Sequence, residues 1–272
     1  LDEKLNEIHG IFSYVGSRHK VPIEISINQE LLRLIGYYVA EGSMDEDNYR
    51  VSFSLNSEET EYVQDICKCV EKLFHFGPCI DKRRNVTYMD ICDKIVYLLF
   101  SKVLNLPRGA KRKHIPPIVF NVRRELQREF LKAVVRGDGV FAPRLDYITS
   151  SRQLASDFLY LLLQNDVMGG LSYGKRRSKL PSGRSVFAER FDAYVSSWSD
   201  LNSMNFYPKI KEPTRHQYSH RVSMIPTDHI KGILKTLGKK SSDGSFVHFG
   251  DRTNRKRFEE WLASREKRSK LE

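Results

Sequence analysis

Apolar residues fill almost every position of LLRLIGYYVAEGSM (31–44) up to Ala40, and the run then stops on Glu41-Gly42. A segment apolar on all sides predicts a helix buried on all sides, so a carboxylate at its exit needs a reason. LKAVVRGDGVF (131–141) repeats the pattern, with Asp138-Gly139 at the same place. Setting Glu41 on Asp138 places Gly42 on Gly139, Ala40 on Gly137 and Gly36 on Ala133. Downstream, FSLNSEETEYVQDICKCVEKLFHF (53–76) and YITSSRQLASDFLYLLLQNDVMGG (147–170) share a second outline. Each has a short β-prone run, a polar turn, and a helix with apolar residues three or four apart, such as Val63, Ile66, Val70 and Leu73. Ser57 and Ser151 are the expected N-caps.

β-compatible segments follow both helices: VTYMDICD (86–93) in the first case, GLSYGKRR (170–177) and RSVFAERFDAYVSS (184–197) in the second. The chain therefore predicts a duplicated α/β unit with pseudo-twofold symmetry. Residues 1–20 read as a lead-in, 21–110 as the first unit, and 111–206 as a linker plus the second. The linker sets Pro107, Gly109, Pro116 and Pro117 around the basic run Lys111-Arg112-Lys113, a proline density that excludes one continuous helix. Residues 207–272 read as a basic extension completing or flanking the second unit, with a helix predicted over RKRFEEWLASREKR (255–268).

Gly36 and Ala40 are four apart, as are Ala133 and Gly137, so each motif helix carries a stripe nearly free of side chains. Two such stripes allow close backbone approach. Glu41 and Asp138 then converge at the foot of the contact, where the chain leaves through a glycine suited to a helix end. Two carboxylates forced together repel unless a cation sits between them. Hard oxygen ligands with room for water favour Mg²⁺, which beside a phosphodiester activates water and stabilises the leaving oxygen.

Composition narrows the partner. With 45 Lys and Arg against 34 Asp and Glu the net charge is +11, an excess that fits a polyanion, most simply nucleic acid. No apolar run is long enough to span a membrane, and the acidic, mixed start does not resemble a signal peptide. Cys67, Cys69, Cys79 and Cys92 show neither a disulfide framework nor a zinc spacing, which suits an intracellular, reducing location. His216 and His220 lack the Glu of a metalloprotease helix, and no Walker, nucleophile-elbow or dinucleotide motif is present. The missing initiator Met and the Lys-Leu-Glu end read as a piece of a longer chain, with Leu271-Glu272 a vector remnant.

LIGYYVAEG (34–42) and KAVVRGDG (132–139) resemble the two motifs of the LAGLIDADG homing endonucleases. The wider run VPIEISINQELLRLIGYYVAEGS (21–43), with HIPPIVFNVRRELQREFLKAVVRGDG (114–139) and YITSSRQLASDFLYLLL (147–163), is similar to the endonuclease domains of archaeal inteins. The resemblance covers about residues 20–200. It implies an α+β fold of two pseudo-symmetric αββαββα units, each with a saddle-shaped antiparallel sheet laid in the DNA major groove. It implies that Glu41 and Asp138 are catalytic and bind Mg²⁺ (or Mn²⁺), with the carbonyls of Ala40 and Gly137 as neighbouring ligands. The product would be a double-strand break with short 3′ overhangs, made by a monomer on a long pseudo-symmetric site.

Val39 and Arg136 stand where the motif carries an earlier acid. The resemblance also implies basic support for the attacking water, for which Lys82 or Arg84 in the first half and Lys175, Arg176 or Lys231 in the second are candidates. The chain begins Leu1-Asp2 and ends Leu271-Glu272, without an intein's splicing residues, so protein splicing is not expected. An archaeal source follows from the same likeness.

Two basic runs, Lys82-Arg83-Arg84 and Lys175-Arg176-Arg177 with Lys179, sit between β-prone segments and are expected as strand–loop tips touching phosphates, together with Lys111, Arg112 and Lys113. The leading expectation is thus a Mg²⁺-dependent, site-specific double-strand DNA endonuclease. The competing one is a non-cleaving DNA or RNA binder, a maturase or regulator, on the same scaffold. An acid retained at both motif ends argues against the second, because a pure binder gains nothing from that repulsion.

Overall fold

A computed structural model of the chain describes residues 11–12, 19–141, 145–179, 185–195, 201, 204, 224–226, 248–249 and 252–254. Strands β1 (Ile11–Phe12) and β2 (Val21–Pro22) form a small antiparallel pair. The first unit then runs α1 (Gln29–Glu41), β3 (Gly42–Asp45), β4 (Arg50–Asn56), α2 (Thr60–Phe74), β5 (Cys79–Arg83), β6 (Val86–Cys92) and α3 (Lys94–Leu98). After a basic 3-10 turn (Ala110–Arg112) and the short α4 (Pro117–Phe120), the order recurs. The second unit has α5 (Arg124–Asp138), β7 (Gly139–Phe141), β8 (Leu145–Thr149), α6 (Arg152–Gln164), β9 (Gly170–Lys179) and β10 (Ser185–Val195).

The fold is therefore α+β, with two four-stranded antiparallel sheets of corresponding order, β3-β4-β6-β5 and β7-β8-β10-β9. Each acid-terminated helix feeds straight into the inner edge strand of its own sheet. Gly42 pairs with Phe53 and Gly139 with Tyr147, at equivalent positions of the two units.

Alternation decides which sheet face is covered. Val51, Phe53 and Leu55 of β4 are buried, as are Thr87, Met89 and Ile91 of β6, while the residues between them are not. In the second sheet Leu145, Tyr147, Phe191, Ala193 and Val195 form the buried face. On the other face of each sheet the described residues are half-buried or exposed.

Helix α1 is sealed on nearly every side, with buried residues running from Glu30 to Ala40 apart from Arg33. Asn28 caps it by accepting from the Leu31 amide at 3.0 Å. Ser151 caps α6 in the same way, but Ser57 does not cap α2: that helix begins at Thr60 after Glu59, with no side-chain cap. The turn spanning Asn56–Thr60 closes through its own backbone bonds, which move the start two residues along. The first basic run forms a strand–loop tip, whereas the second lies along a strand. Lys82 and Arg83 end β5, leaving Arg84-Asn85 as the hairpin turn, with Arg84 at φ 52°, and Lys175 to Lys179 continue β9.

By internal contacts the chain divides into two compact units. One comprises residues 1–195 and 200–209 and holds both repeats; the other comprises 196–199 and 210–272. The latter contains a three-stranded antiparallel sheet of β11 (Met224–Pro226), β12 (His248–Phe249) and β13 (Arg252–Asn254), in the order β11-β13-β12. The helix predicted over 255–268 lies outside the described residues.

Candidate metal and nucleic-acid site

Small residues let α1 and α5 touch backbone to backbone. A Cβ at Gly36 would stand 2.6 Å from the Phe130 carbonyl oxygen and 2.8 Å from the Ala133 Cβ. One turn on, a Cβ at Gly137 would stand 2.5 Å from the Ala40 Cβ and 3.3 Å from the Glu41 Cγ. Residues 36 and 133, and 40 and 137, thus face each other level by level, and the helices end together. The exit glycines are needed for space rather than for a left-handed turn. Gly42 and Gly139 are extended, with φ −85° and −82°, but a Cβ on either would collide with Tyr38 or Val135 of its own helix.

Glu41 and Asp138 close the seam. Burial, reinforced by the Asp138 charge and opposed by Lys113, pushes the Glu41 carboxyl up to about 7. Burial also pushes Asp138 up to about 6, again against the pull of Lys113. Both acids are thus protonated more readily than ordinary carboxyls, chiefly because they are buried. Lys113 is the cation that faces them: its Nζ donates to the Ala40 carbonyl at 2.6 Å, and burial lowers its own pKa while both acids raise it. A buried hydroxyl lies in the same environment. Tyr147 is fully buried, stacks on Phe158 with centroids 4.5 Å apart, and has no partner for its Oη; after burial itself, the charges of Asp138 and Glu41 raise its pKa.

This donor set fits a hard divalent cation whose shell is completed from outside the protein. Among the described residues no group of three or more His, Cys, Asp or Glu comes together. Mg²⁺ is ordinarily bound by one or two carboxylates plus substrate phosphates and water, not by an all-protein cage. Of the two carbonyls expected beside it, that of Ala40 is engaged by Lys113.

Raised carboxyl pKa values carry a stability consequence. Both acids hold a proton more tightly folded than unfolded, so their contribution is fully present below the unfolded value near 4 and is lost as pH rises through about 6 and about 7. Without divalent metal, the melting temperature of Asp138→Asn should therefore exceed that of wild type by a margin that widens from about pH 5 to about pH 8. Differential scanning calorimetry checks this, and a margin independent of pH would remove the repulsion.

The basic residues distribute unevenly. Lys111 and Arg112 are exposed on the 3-10 turn, whereas Lys113, next in sequence, is turned in toward the acids. Lys82, Arg83 and Arg84 are exposed, and Arg83 is paired with Asp81 at 2.7 Å. Lys175 is exposed on β9; the side chains of Arg176, Arg177 and Lys179, and all of Lys231, lie outside the described residues. On the less buried face of the first sheet Arg50 sits between Asp45 at 3.2 Å and Asp90 at 3.5 Å, so that face is of mixed charge. Lys111 also borders a surface cavity of about 600 Å³ shared with Arg152, Tyr173 and Glu189.

Lys113 is the site residue that sequence reasoning placed elsewhere. Nothing local separates it from Lys111 and Arg112, and only the path of the linker beneath α1 turns it inward.

No protein-family model matches the chain. Among curated proteins it is 29% identical over 175 residues to an uncharacterized protein of Methanocaldococcus jannaschii, covering 59% of this chain and 19% of that protein. It is 35% identical over 138 residues to the DNA polymerase II large subunit of Thermococcus kodakarensis, covering 49% and 8% respectively. To the ATP-dependent DNA helicase Hel308 of the same organism it is 30% identical over 237 residues, covering 83% and 20%. The chain thus spans a fifth or less of the length of these relatives.

Among solved structures it is similar to the homing endonuclease I-DmoI in complex with DNA and Ca, at TM-score 0.48 and 14% identity, over 68% of this chain and 95% of that one. Full-length DUF199/WhiA from Thermatoga maritima gives a TM-score of 0.46 at 13% identity, over 80% and 69%. At these scores neither likeness bears on what this chain does. No described helix is long and apolar enough to cross a membrane.

Proposed function

We propose that the chain is a LAGLIDADG-type homing endonuclease that hydrolyses both strands of a specific double-stranded DNA site, with short 3′ overhangs. The observation that supports this most strongly is the convergence of Glu41 and Asp138 at the foot of a repeated glycine–alanine seam, both pushed toward neutrality by burial. Glu41 and Asp138 would hold Mg²⁺ or Mn²⁺, with the Gly137 carbonyl beside them. When bound, the ion supplies a water of lowered pKa and charge stabilisation at the leaving oxygen.

The chain's own residues do the rest. The seam keeps the two carboxylates level and partly dry, so that each ionises fully only with added positive charge beside it, which a bound divalent cation would supply. Lys113 lies against both acids and ties the linker to the end of α1. Lys111 and Arg112, together with Lys82, Arg83, Arg84, Lys175, Arg176, Arg177 and Lys179, are the proposed phosphate contacts. Some six to ten such contacts make binding steeply salt-dependent. Lys231 remains a proposed basic support in the second half. One chain carries both halves of the site, so a monomer suffices, acting wherever DNA is accessible.

Sequencing the ends released from a randomised or genomic DNA pool, with Mg²⁺ present or withheld, tests the reading. Recurrent paired ends appearing only with Mg²⁺ are expected; specific binding without ends would instead identify a non-cleaving binder on the same scaffold.

Lys113 separates chemistry from affinity. Lys113→Met should lower the single-turnover rate by about 10²-fold. Lys111→Ala should weaken binding at moderate salt while leaving the bound-state rate unchanged. Quench-flow and filter-binding measurements distinguish them, and a wild-type rate in Lys113→Met would remove the lysine from the mechanism.

A further inference from the structure

A stripe of small residues brings two helices together without fixing where along their length they meet. Sliding α1 by one turn, about 5.4 Å, would set Gly36 against Gly137 or Ala40 against Ala133, small against small again. Such a slide would part Glu41 from Asp138. Something besides the seam has to hold the register.

Above the acids lies a layer of charges spanning α1, α2 and α5. Arg33 of α1 reaches Glu129 of α5 at 3.4 Å, Asp65 of α2 at 3.5 Å and Glu30 at 3.9 Å. Arg136 of α5, two residues before Asp138, reaches back to Asp65 at 3.6 Å and donates to the Tyr37 hydroxyl at 3.4 Å. Tyr37 in turn donates to Asp65 at 2.9 Å. The Asp65 and Arg33 side chains are only 17% and 18% exposed, so these are desolvated charges, not surface decoration.

The layer is also one-sided. In the pseudo-twofold alignment Arg33 corresponds to Phe130, Glu129 to Leu32 and Arg136 to Val39, all three counterparts fully buried or nearly so. A pairing of like halves would set these charges against apolar positions, and a slide by one turn would part Arg33 from Glu129 and draw Asp65 away from either Arg33 or Arg136. Buried ion pairs contribute little net stability, and their best-attested use is to specify registry.

We propose that Asp65, with Arg33, Glu129 and Arg136, is a register lock: a set of positioning residues that holds α1 and α5 level and so keeps Glu41 beside Asp138. The functional side of this rests on the endonuclease reading; the structural side does not.

The test replaces the layer by apolar side chains, Arg33→Met, Asp65→Leu, Glu129→Leu and Arg136→Met in one chain, and compares it with wild type. A lock predicts a variant that melts no lower than wild type, but whose Ala40 and Ala133 methyl NMR signals double or broaden where wild type shows one sharp set. Should the fourfold variant fail to fold, Asp65→Asn removes the central charge at constant shape and is expected to give the same doubling. A single sharp wild-type set in either folded variant overturns the lock, as does doubling in wild type itself.

Where wild type cleaves DNA, the folded variant should cleave at least tenfold more slowly with little change in binding. Full cleavage by it would also overturn the lock. A wild type that never cleaves would sink the endonuclease reading alone, since the methyl spectra still decide the register.

Discussion

Asp138→Asn should abolish DNA cleavage, lowering the single-turnover rate on the order of 10³-fold, while binding stays within a few-fold of wild type. Glu41→Gln should do the same. The reasoning is electrostatic. Both acids are partly buried and raised by that burial, Glu41 further by the charges of Asp138 and Glu59, and among the described residues Lys113 opposes the rise in each. A divalent ion placed there relieves that strain and drives both groups to the charged form; an amide leaves too little negative charge to retain it. The acids stand at the seam rather than among the exposed basic residues, so affinity for DNA survives. Loss of binding in proportion to loss of cutting would show that these positions serve the fold or the interface instead.

The second large effect concerns the seam itself. Gly36→Val should destabilise the protein by about 1–3 kcal/mol or more, the usual range for overpacking. Its Cβ would stand 2.6 Å from a backbone carbonyl, which cannot swing aside as a side chain can. Replacing a helical glycine gains up to about 1 kcal/mol of propensity, which does not offset the collision. Because the helices must part to admit the new side chain, cleavage should fall with stability. Gly174 of β9 is the control: nothing lies within 4 Å of a Cβ there, so Gly174→Val should change stability by about 0.5 kcal/mol at most. Urea denaturation decides between them. Equal midpoints for the two variants would contradict a close-packed seam.

Much of the architecture was legible because periodicity is a local property. The amphipathic spacing of Val63, Ile66, Val70 and Leu73 places α2, and the all-apolar stretch before Glu41 marks a helix enclosed by neighbours. Repetition carried the pairing of the halves, since one offset superposes acid on acid and small residue on small residue. Features set by distant parts of the chain were not legible. Lys113 reads as one of three basic neighbours until the fold turns it inward. Arg136 reads as a departure from its motif, and only the approach of α2 shows its charge answered by Asp65. Gly42 and Gly139 read as glycines suited to a helix end, but only the fold shows that they clear room for their own helices. Ser57 was a fair cap by residue type, but backbone bonds within the turn begin the helix at Thr60.

The dependence on one shared carboxylate pair is tested most directly by divalent-ion binding. Mn²⁺ bound to the protein–DNA complex, followed by electron paramagnetic resonance, should be retained by wild type and by Glu59→Gln, whose acid acts on Glu41 only as a more distant charge. It should be lost alike in Glu41→Gln and Asp138→Asn, because each supplies half of the same site. Undiminished Mn²⁺ in both of those variants would contradict the account.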